Sequence, residues 1–322
     1  MLDSKSSGSD TVRVRPPPPA PYFSGIRKDT LTFDTDVYVM AKYKVLYNPK
    51  CYNNQSEAET RTLCQLLKDD VLEYVDVLKI GDMKAFIKGL QADESIILSG
   101  GDGTLNHFIN DIDGTDIAND VFFFATGTGN DFLTSVGGKK GELVKLNPYL
   151  GSLPTVTVNG KDYKFINGVG FGIDGYCCEM GDKLRETSDK PINYTSIAIK
   201  GLLFYFKPVN ATVTMDGKTK SYKKVWLAPT MFGAFYGGGM MPTPAQKRSE
   251  GTVSTLVFYG KGKIKTLMAF PSIFKGEHIS HTDMVEIWKG HEVTVEFDRP
   301  TALQIDGETI TGVTKYTVRA PQ

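Results

Sequence analysis

The residues that usually announce metal, redox or export chemistry are scarce in this sequence. Four cysteines and four histidines occur among 322 residues, and Cys51, Cys64, Cys177 and Cys178 follow no metal-ligand spacing. Adjacent Cys177 and Cys178 are a strained place for a disulfide, so the cysteine usage fits a reducing, cytoplasmic setting. His278 and His281 stand three apart with no third soft ligand beside them, which favours a structural or surface role over a zinc site. His107 receives no catalytic role. Long apolar runs are also missing: Ile197 to Phe206 is interrupted by Lys200 and is about half the roughly 20 residues a bilayer span needs. The first residues lack the basic start, apolar core and small-residue cleavage site of a secretory signal. The 37 basic residues balance 37 acidic ones, so no global field draws nucleic acid.

At 322 residues the chain exceeds the usual single-domain size, and its pattern changes midway. The run Pro16 to Pro19 and the Ser, Asp and Arg around it supply too little apolar surface to order a chain, which predicts a disordered tail over 1–36. Met40 stands just before a strong strand and is a candidate start of translation. Over 37–150, β-branched or aromatic runs (Val37 to Tyr47, Val71 to Val77, Ser95 to Leu98, Val121 to Ala125) alternate with helical ones. That alternation predicts a doubly wound α/β domain. Ser56 and Glu59 have capping-box spacing ahead of a helix to about Lys68, and Asp82 caps another to about Leu90.

Over 151–322 the pattern is antiparallel. Thr155 to Val158 and Lys161 to Ile166 flank Asn159-Gly160, and Ala211 to Met215 and Lys218 to Val225 flank Asp216-Gly217, two strong hairpin signals. A β-sandwich second domain follows, with its C-terminal end free to return to the first. One helix, about Asn193 to Phe206, is expected there, its apolar excess being either core or a wall facing lipid.

Three short elements carry chemistry. Gly100-Gly101-Asp102-Gly103-Thr104 follows an apolar strand and opens a helical pattern. Such a loop is either a tight turn or a phosphate cradle, since glycine backbone approaches closely and a helix N-terminus favours anions. Asp102 favours work with Mg²⁺ or a hydroxyl, because a carboxylate beside phosphates is otherwise repelled. Gly127-Thr128-Gly129-Asn130-Asp131 repeats the device at the next strand end, with Asp131 also readable as a helix N-cap. Two such loops would line one crevice outside the carboxyl ends of the strands. Asp306-Gly307-Glu308, far away in sequence, reads by itself as a hairpin turn.

Taken together with Asn48-Pro49, Asn167 to Gly172, Gly237-Gly238-Gly239-Met240 and Phe274 to His278, these elements resemble the diacylglycerol kinase catalytic-domain family over about residues 42 to 320. That family includes bacterial lipid kinases and the sphingosine and ceramide kinases. The resemblance implies transfer of the ATP γ-phosphoryl to a lipid hydroxyl, most simply diacylglycerol giving phosphatidic acid. It assigns ATP to Asn48, Gly100, Gly101, Asp102, Gly103, Thr104, Gly127, Thr128, Gly129, Asn130 and Asp131, with Asp102 and Asp131 near the phosphates or Mg²⁺. Asp306 is implied as general base and Glu308 as a residue placing metal or nucleotide. A structural Mg²⁺ is implied at Glu250, where the family carries Asp. Lys50-Cys51-Tyr52 and Ala125 depart from the family pattern on the adenine side. A lipid acceptor implies peripheral association with a membrane surface from the cytoplasm, with no nucleic acid partner; a homodimer stays open. Two other readings remain: an NAD kinase-like enzyme, which shares the first glycine loop, and a non-catalytic lipid- or nucleotide-binding homologue.

Overall fold

A computed structural model describes residues 40–49, 56–127, 129–187 and 192–321, the Thr195 side chain excepted. The expected tail over 1–36, the start of the first strand at 37–39, Lys50-Cys51-Tyr52 and Thr128 lie outside the described residues.

The first half runs β1 (Lys42–Tyr47), α1 (Ser56–Arg61), α2 (Leu63–Leu66), β2 (Val71–Asp76), α3 (Met83–Lys88), β3 (Glu94–Gly100), α4 (Asp102–Asp111), β4 (Val121–Ala125), α5 (Asp131–Ser135), β5 (Leu143–Lys145) and α6 (Asn147–Leu150). Its strands form a five-stranded sheet in the order β2-β1-β3-β4-β5, parallel except at β5. Ile96, Ile97 and Leu98 of β3 are all buried, as a central parallel strand covered on both faces requires. Helix α4 buries Leu105, Phe108 and Ile109, which the three- and four-residue spacing puts on one face. Asp82 caps α3 by accepting the Ala85 N–H at 3.0 Å. The helix expected from Ser56 to Lys68 is interrupted at Thr62, whose hydroxyl turns back to the Glu59 carbonyl.

The second half runs β6 (Thr155–Val158), β7 (Lys161–Lys164), β8 (Gly168–Phe171), α7 (Ile173–Thr187), α8 (Tyr194–Lys200), β9 (Val209–Met215), β10 (Lys218–Val225), β11 (Thr230–Met231), β12 (Val253–Phe258), α9 (Lys263–Ala269), β13 (Val285–Gly290), β14 (Glu292–Ile305) and β15 (Glu308–Arg319). These strands make a ten-stranded antiparallel sheet, β13-β12-β11-β8-β14-β15-β6-β7, with β9 joining β10 to β14. Both hairpins turn through left-handed Asn159 and Asp216, at φ 51° and 47°. Strand β14 serves two neighbours, Val293–Phe297 pairing with β9 and Leu303–Ile305 with β8. Its register against β15 shifts between Glu296 and Thr301, where Pro300 has no N–H to give. In the core, Phe171 stacks on Phe297 at 3.7 Å and meets the edge of Tyr316 at 5.5 Å. The architecture is an α/β domain followed by an antiparallel β-sandwich.

Two boundaries differ from expectation. Strand β7 ends at Lys164 instead of Ile166, because the Ile166 and Asn167 amides turn away to the side chain of Asp306. The helix expected over 193–206 is capped by Asn193, runs as α8 to Lys200, and widens into a π turn over Gly201–Tyr205.

Helix α7 seats on β14 at a point where only glycine fits: a Cβ on Gly175 would lie 2.0 Å from the Ala302 carbonyl oxygen. Gly175→Ala is therefore expected to push α7 off the sheet and destabilise the chain by about 1–3 kcal/mol, read as a fall in the urea midpoint; an unchanged midpoint would contradict this packing.

Candidate active site

The two glycine loops leave neighbouring parallel strands and touch each other. Gly100 pairs with Ala125 in register, and its carbonyl accepts the Thr126 N–H at 2.9 Å. A Cβ on Gly127 would stand 2.7 Å from the Gly101 Cα, and one on Gly100 2.4 Å from the Thr104 side chain. Close loop packing thus accounts for Gly100 and Gly127 before any ligand is considered. Asn48 follows β1 at the same sheet end, since Tyr47 pairs with Ser99. Asn130 takes the left-handed region at φ 50°, with its amide donating to the Gly127 carbonyl at 2.8 Å.

The aspartates are held by backbone N–H groups of other loops. Asp102, at the start of α4, accepts from the N–H of Asp131 and of Phe132, each at 2.9 Å, and from the Asn167 amide at 3.0 Å. It thereby caps α5. Buried Asp131 in turn accepts from Gly238 at 2.9 Å and Gly239 at 2.8 Å, reaching across to the second half. Asp306, 7% exposed and left-handed at φ 47°, accepts from Ile166 at 2.6 Å, Asn167 at 2.8 Å, Gly168 at 2.9 Å and the Asn106 amide at 3.0 Å. Burial pushes its carboxyl upward, opposed by those same bonds.

Asp306, the expected general base, therefore sits among hydrogen bonds from the protein's own groups. Its two oxygens accept from four donors, which favour the charged form, while burial outweighs them and leaves the carboxyl raised. The carboxylate of that turn which faces the mouth is Glu308. It is about half exposed, ion-pairs with His107 at 3.4 Å, and its Oε1 lies 3.1 Å from where a Gly103 Cβ would stand. The pairing lowers the Glu308 carboxyl and raises the His107 imidazole.

Glu250, expected at a structural Mg²⁺, has a side-chain partner in the second half. It ion-pairs with Lys289, which draws its carboxyl downward. Among the described residues no three His, Cys, Asp or Glu side chains converge at metal-binding range. His278 is a core residue on the Pro242 carbonyl, 2.8 Å away, with burial lowering its pKa.

Sequence reasoning missed the cation at the centre. The Arg248 guanidinium donates to the Ile166 carbonyl, to Ser135 Oγ at 2.9 Å and to Asn167 Oδ1 at 2.8 Å, between the rings of Phe132 and Phe232. Burial lowers it to about 10, while the charges of Asp306 and Asp102 hold it protonated. An arginine in a Lys-Arg-Ser-Glu loop carries no signal of burial. Asn106 is a polar residue buried beside Leu105, Phe108 and Ile109 on the inner face of α4.

Residues 42–157 match the model of the diacylglycerol kinase catalytic domain, and residues 167–322 that of the YegS C-terminal NAD kinase beta sandwich-like domain. The chain thus joins a diacylglycerol kinase catalytic domain to a YegS-type C-terminal domain. YtlR of Bacillus subtilis (strain 168), provisionally named a lipid kinase, is 26% identical over 245 residues, 69% of this chain and 75% of that one. A diacylglycerol kinase of Mycobacterium tuberculosis (strain ATCC 25618 / H37Rv) is 26% identical over 216 residues, 63% of this chain and 67% of that one. The crystal structure of a diacylglycerol kinase from Bacillus anthracis str. Sterne has the same fold, with a TM-score of 0.58 at 20% identity over 88% of this chain and 94% of that one. Among the described residues no helix is long and apolar enough to cross a membrane.

The acid balance around the glycine loops bears on stability. Burial, and then the charge of Asp102, pushes Asp131 up to about 6 from an ordinary 3.8. The contribution of the protonated group is present at low pH and is lost as pH rises through about 6, a loss on the order of 3 kcal/mol. Asp131→Asn has no such loss. Its stability relative to wild type should improve by roughly that amount between about pH 4 and about pH 7, measured by urea denaturation; a difference independent of pH would mean the carboxyl titrates normally.

Proposed function

We propose that this chain transfers the γ-phosphoryl group of ATP to a lipid hydroxyl, with diacylglycerol as acceptor and phosphatidic acid as product. The observation that carries the reading is the half-exposed Glu308 over Gly103, at the mouth of two abutting glycine loops. Relatives named as diacylglycerol kinases support the acceptor.

The nucleotide side is Asn48, the loop from Gly100 to Thr104, and the loop from Gly127 to Asp131. The N-terminus of the ten-residue helix α4 adds its partial positive charge toward phosphate. The carboxylates of Asp102 and Asp131 fit Mg²⁺: they are hard oxygen donors, and Asp131, raised by burial and then by the charge of Asp102, sits beside a like charge that a divalent cation would relieve. Each Asp131 oxygen accepts one N–H and keeps a lone pair. When bound, Mg²⁺ neutralises phosphate charge.

Glu308 accepts the proton of the acceptor hydroxyl as its oxygen bonds to the γ-phosphorus and the bond to the ADP oxygen breaks. His107 orients that carboxylate, and it holds Glu308 ionised across neutral pH. Asp306 acts as a positioning residue that fixes the turn carrying Glu308.

Purified full-length chain is incubated with Mg²⁺-ATP and micelles of diacylglycerol, phosphatidylglycerol, ceramide or sphingosine, and separately with NAD. Phosphatidic acid is the expected product. Glu308→Gln should lower kcat by roughly a hundredfold or more at unchanged melting temperature, and Asp306→Asn should lower the melting temperature as well. Phosphorylation of NAD with no lipid product would instead favour the NAD kinase-like reading, and nucleotide binding without turnover the regulatory one. A fully active Glu308→Gln would return the base to another group.

A further inference from the structure

Outside the cleft, the π turn and α9 form a face that the fold leaves uncovered. Phe204 and Tyr205 are 69% and 66% exposed, and Ile264 and Met268, one helical turn apart on α9, are 73% and 77% exposed. The Lys263 ammonium donates to the Leu203 carbonyl at 2.8 Å, which brings the start of α9 against the π turn. Beneath them Leu202, Phe206, Ala269 and Ile273 share one buried cluster, so the exposed side chains stand on a packed base. A π turn inserts a residue into the helical repeat and commonly marks a functional segment. Here it buries Leu202 and Phe206 while turning the two aromatic residues between them outward.

The charge around this face is one-sided. Residues 194–207 and 260–276 contain no Asp or Glu and six lysines, in a chain whose 37 basic and 37 acidic residues balance. Of the six, Lys261 is paired with Asp283. At the foot of the π turn a cleft of about 270 Å³ opens between Tyr176, Tyr205, Lys207, Arg299 and Ala302, with Glu179 on its wall. The helix that supplies Tyr176 also carries Asp182, which accepts the Thr309 hydroxyl at 2.7 Å, one residue beyond Glu308.

We infer that the π turn and α9 form a docking surface for an anionic lipid bilayer, with Phe204, Tyr205, Ile264 and Met268 inserted at the interface and the lysines on its headgroups. Aromatic and aliphatic side chains on a short helical face, ringed by lysine, are what a surface-lying segment needs. A second copy of this chain fits less well, since a two-fold contact would set lysines against lysines. The inference rests on the proposed lipid acceptor only for its biological sense; the surface itself is tested separately.

The full-length chain is sedimented with phosphatidylcholine vesicles and with vesicles that also carry phosphatidylglycerol. Binding to the anionic vesicles, weakened by salt, is expected. Phe204→Ser combined with Met268→Ser should cut the bound fraction roughly tenfold at unchanged melting temperature and unchanged turnover of a short-chain diacylglycerol dissolved as monomer. Lys200→Gln combined with Lys265→Gln should remove the preference for anionic vesicles. The inference is overturned if the aromatic-Met variant binds like wild type, if neutral and anionic vesicles bind equally, or if the variants change oligomeric state and leave vesicle binding intact. Turnover of the dissolved lipid without vesicle binding removes the surface and keeps the kinase. Vesicle binding without turnover keeps the surface and removes the kinase.

Discussion

A buried carboxylate taken up by orphan backbone N–H groups is the interaction on which this site depends. Loops that leave strand ends and enter helices carry N–H groups with no partner in the ladder or helix, and a buried aspartate has oxygens with no water. Each solves the other's problem. Asp102 binds the start of α5, Asp131 binds Gly238 and Gly239, and Asp306 binds three successive amides from Ile166 to Gly168. Two of these links, from Asp131 and from Asp306 with Asn106, run between segments more than a hundred residues apart and join the α/β half to the β half. Arg248 offsets part of the resulting negative charge and touches both halves through Ser135 and Asn167.

Because the aspartates are fixed in this way, the parts that remain free have a defined place. The glycine loops cannot separate without opening a gap between the backbones of Gly101 and Gly127, so their N–H groups stay at one sheet end. The Asp306-Gly307 turn cannot tilt without breaking four hydrogen bonds, so Glu308 stays at the mouth. Phosphoryl transfer asks mainly for positioning and charge stabilisation, which is what a network of this kind supplies.

Much of the fold was legible in the sequence. The alternation of strand and helix before residue 150, the Asn159-Gly160 and Asp216-Gly217 hairpins and the Asp82 cap all follow from local chemistry that tertiary packing did not overrule. The motif residues were legible too, but their tasks were less so. Spacing left Asp131 as a phosphate-side residue or a helix cap and read Asp306 as a turn, its role as base coming from the family resemblance; in the structure both have backbone partners supplied from far along the chain, which no local pattern encodes. The contacts of Arg248 and Asn167 were hidden for the same reason: their partners converge from α4, α5, the β7–β8 loop and the loop before β12 only after folding. Strand β7 and the 193–206 helix were misjudged at their ends, one because a side chain captured its amides and the other because a π turn is invisible to a 3.6-residue period.

The central claim is that these carboxylates lock loop amides that would otherwise face solvent. Amide hydrogen exchange on the unliganded chain tests it most directly. Ile166, Asn167, Gly168, Gly238 and Gly239 are expected to exchange as slowly as the amides of strand β8, and Asp306→Asn to free the first three while leaving the two glycines protected. Exchange of these five amides at the rate of open loops in the wild-type chain would contradict it.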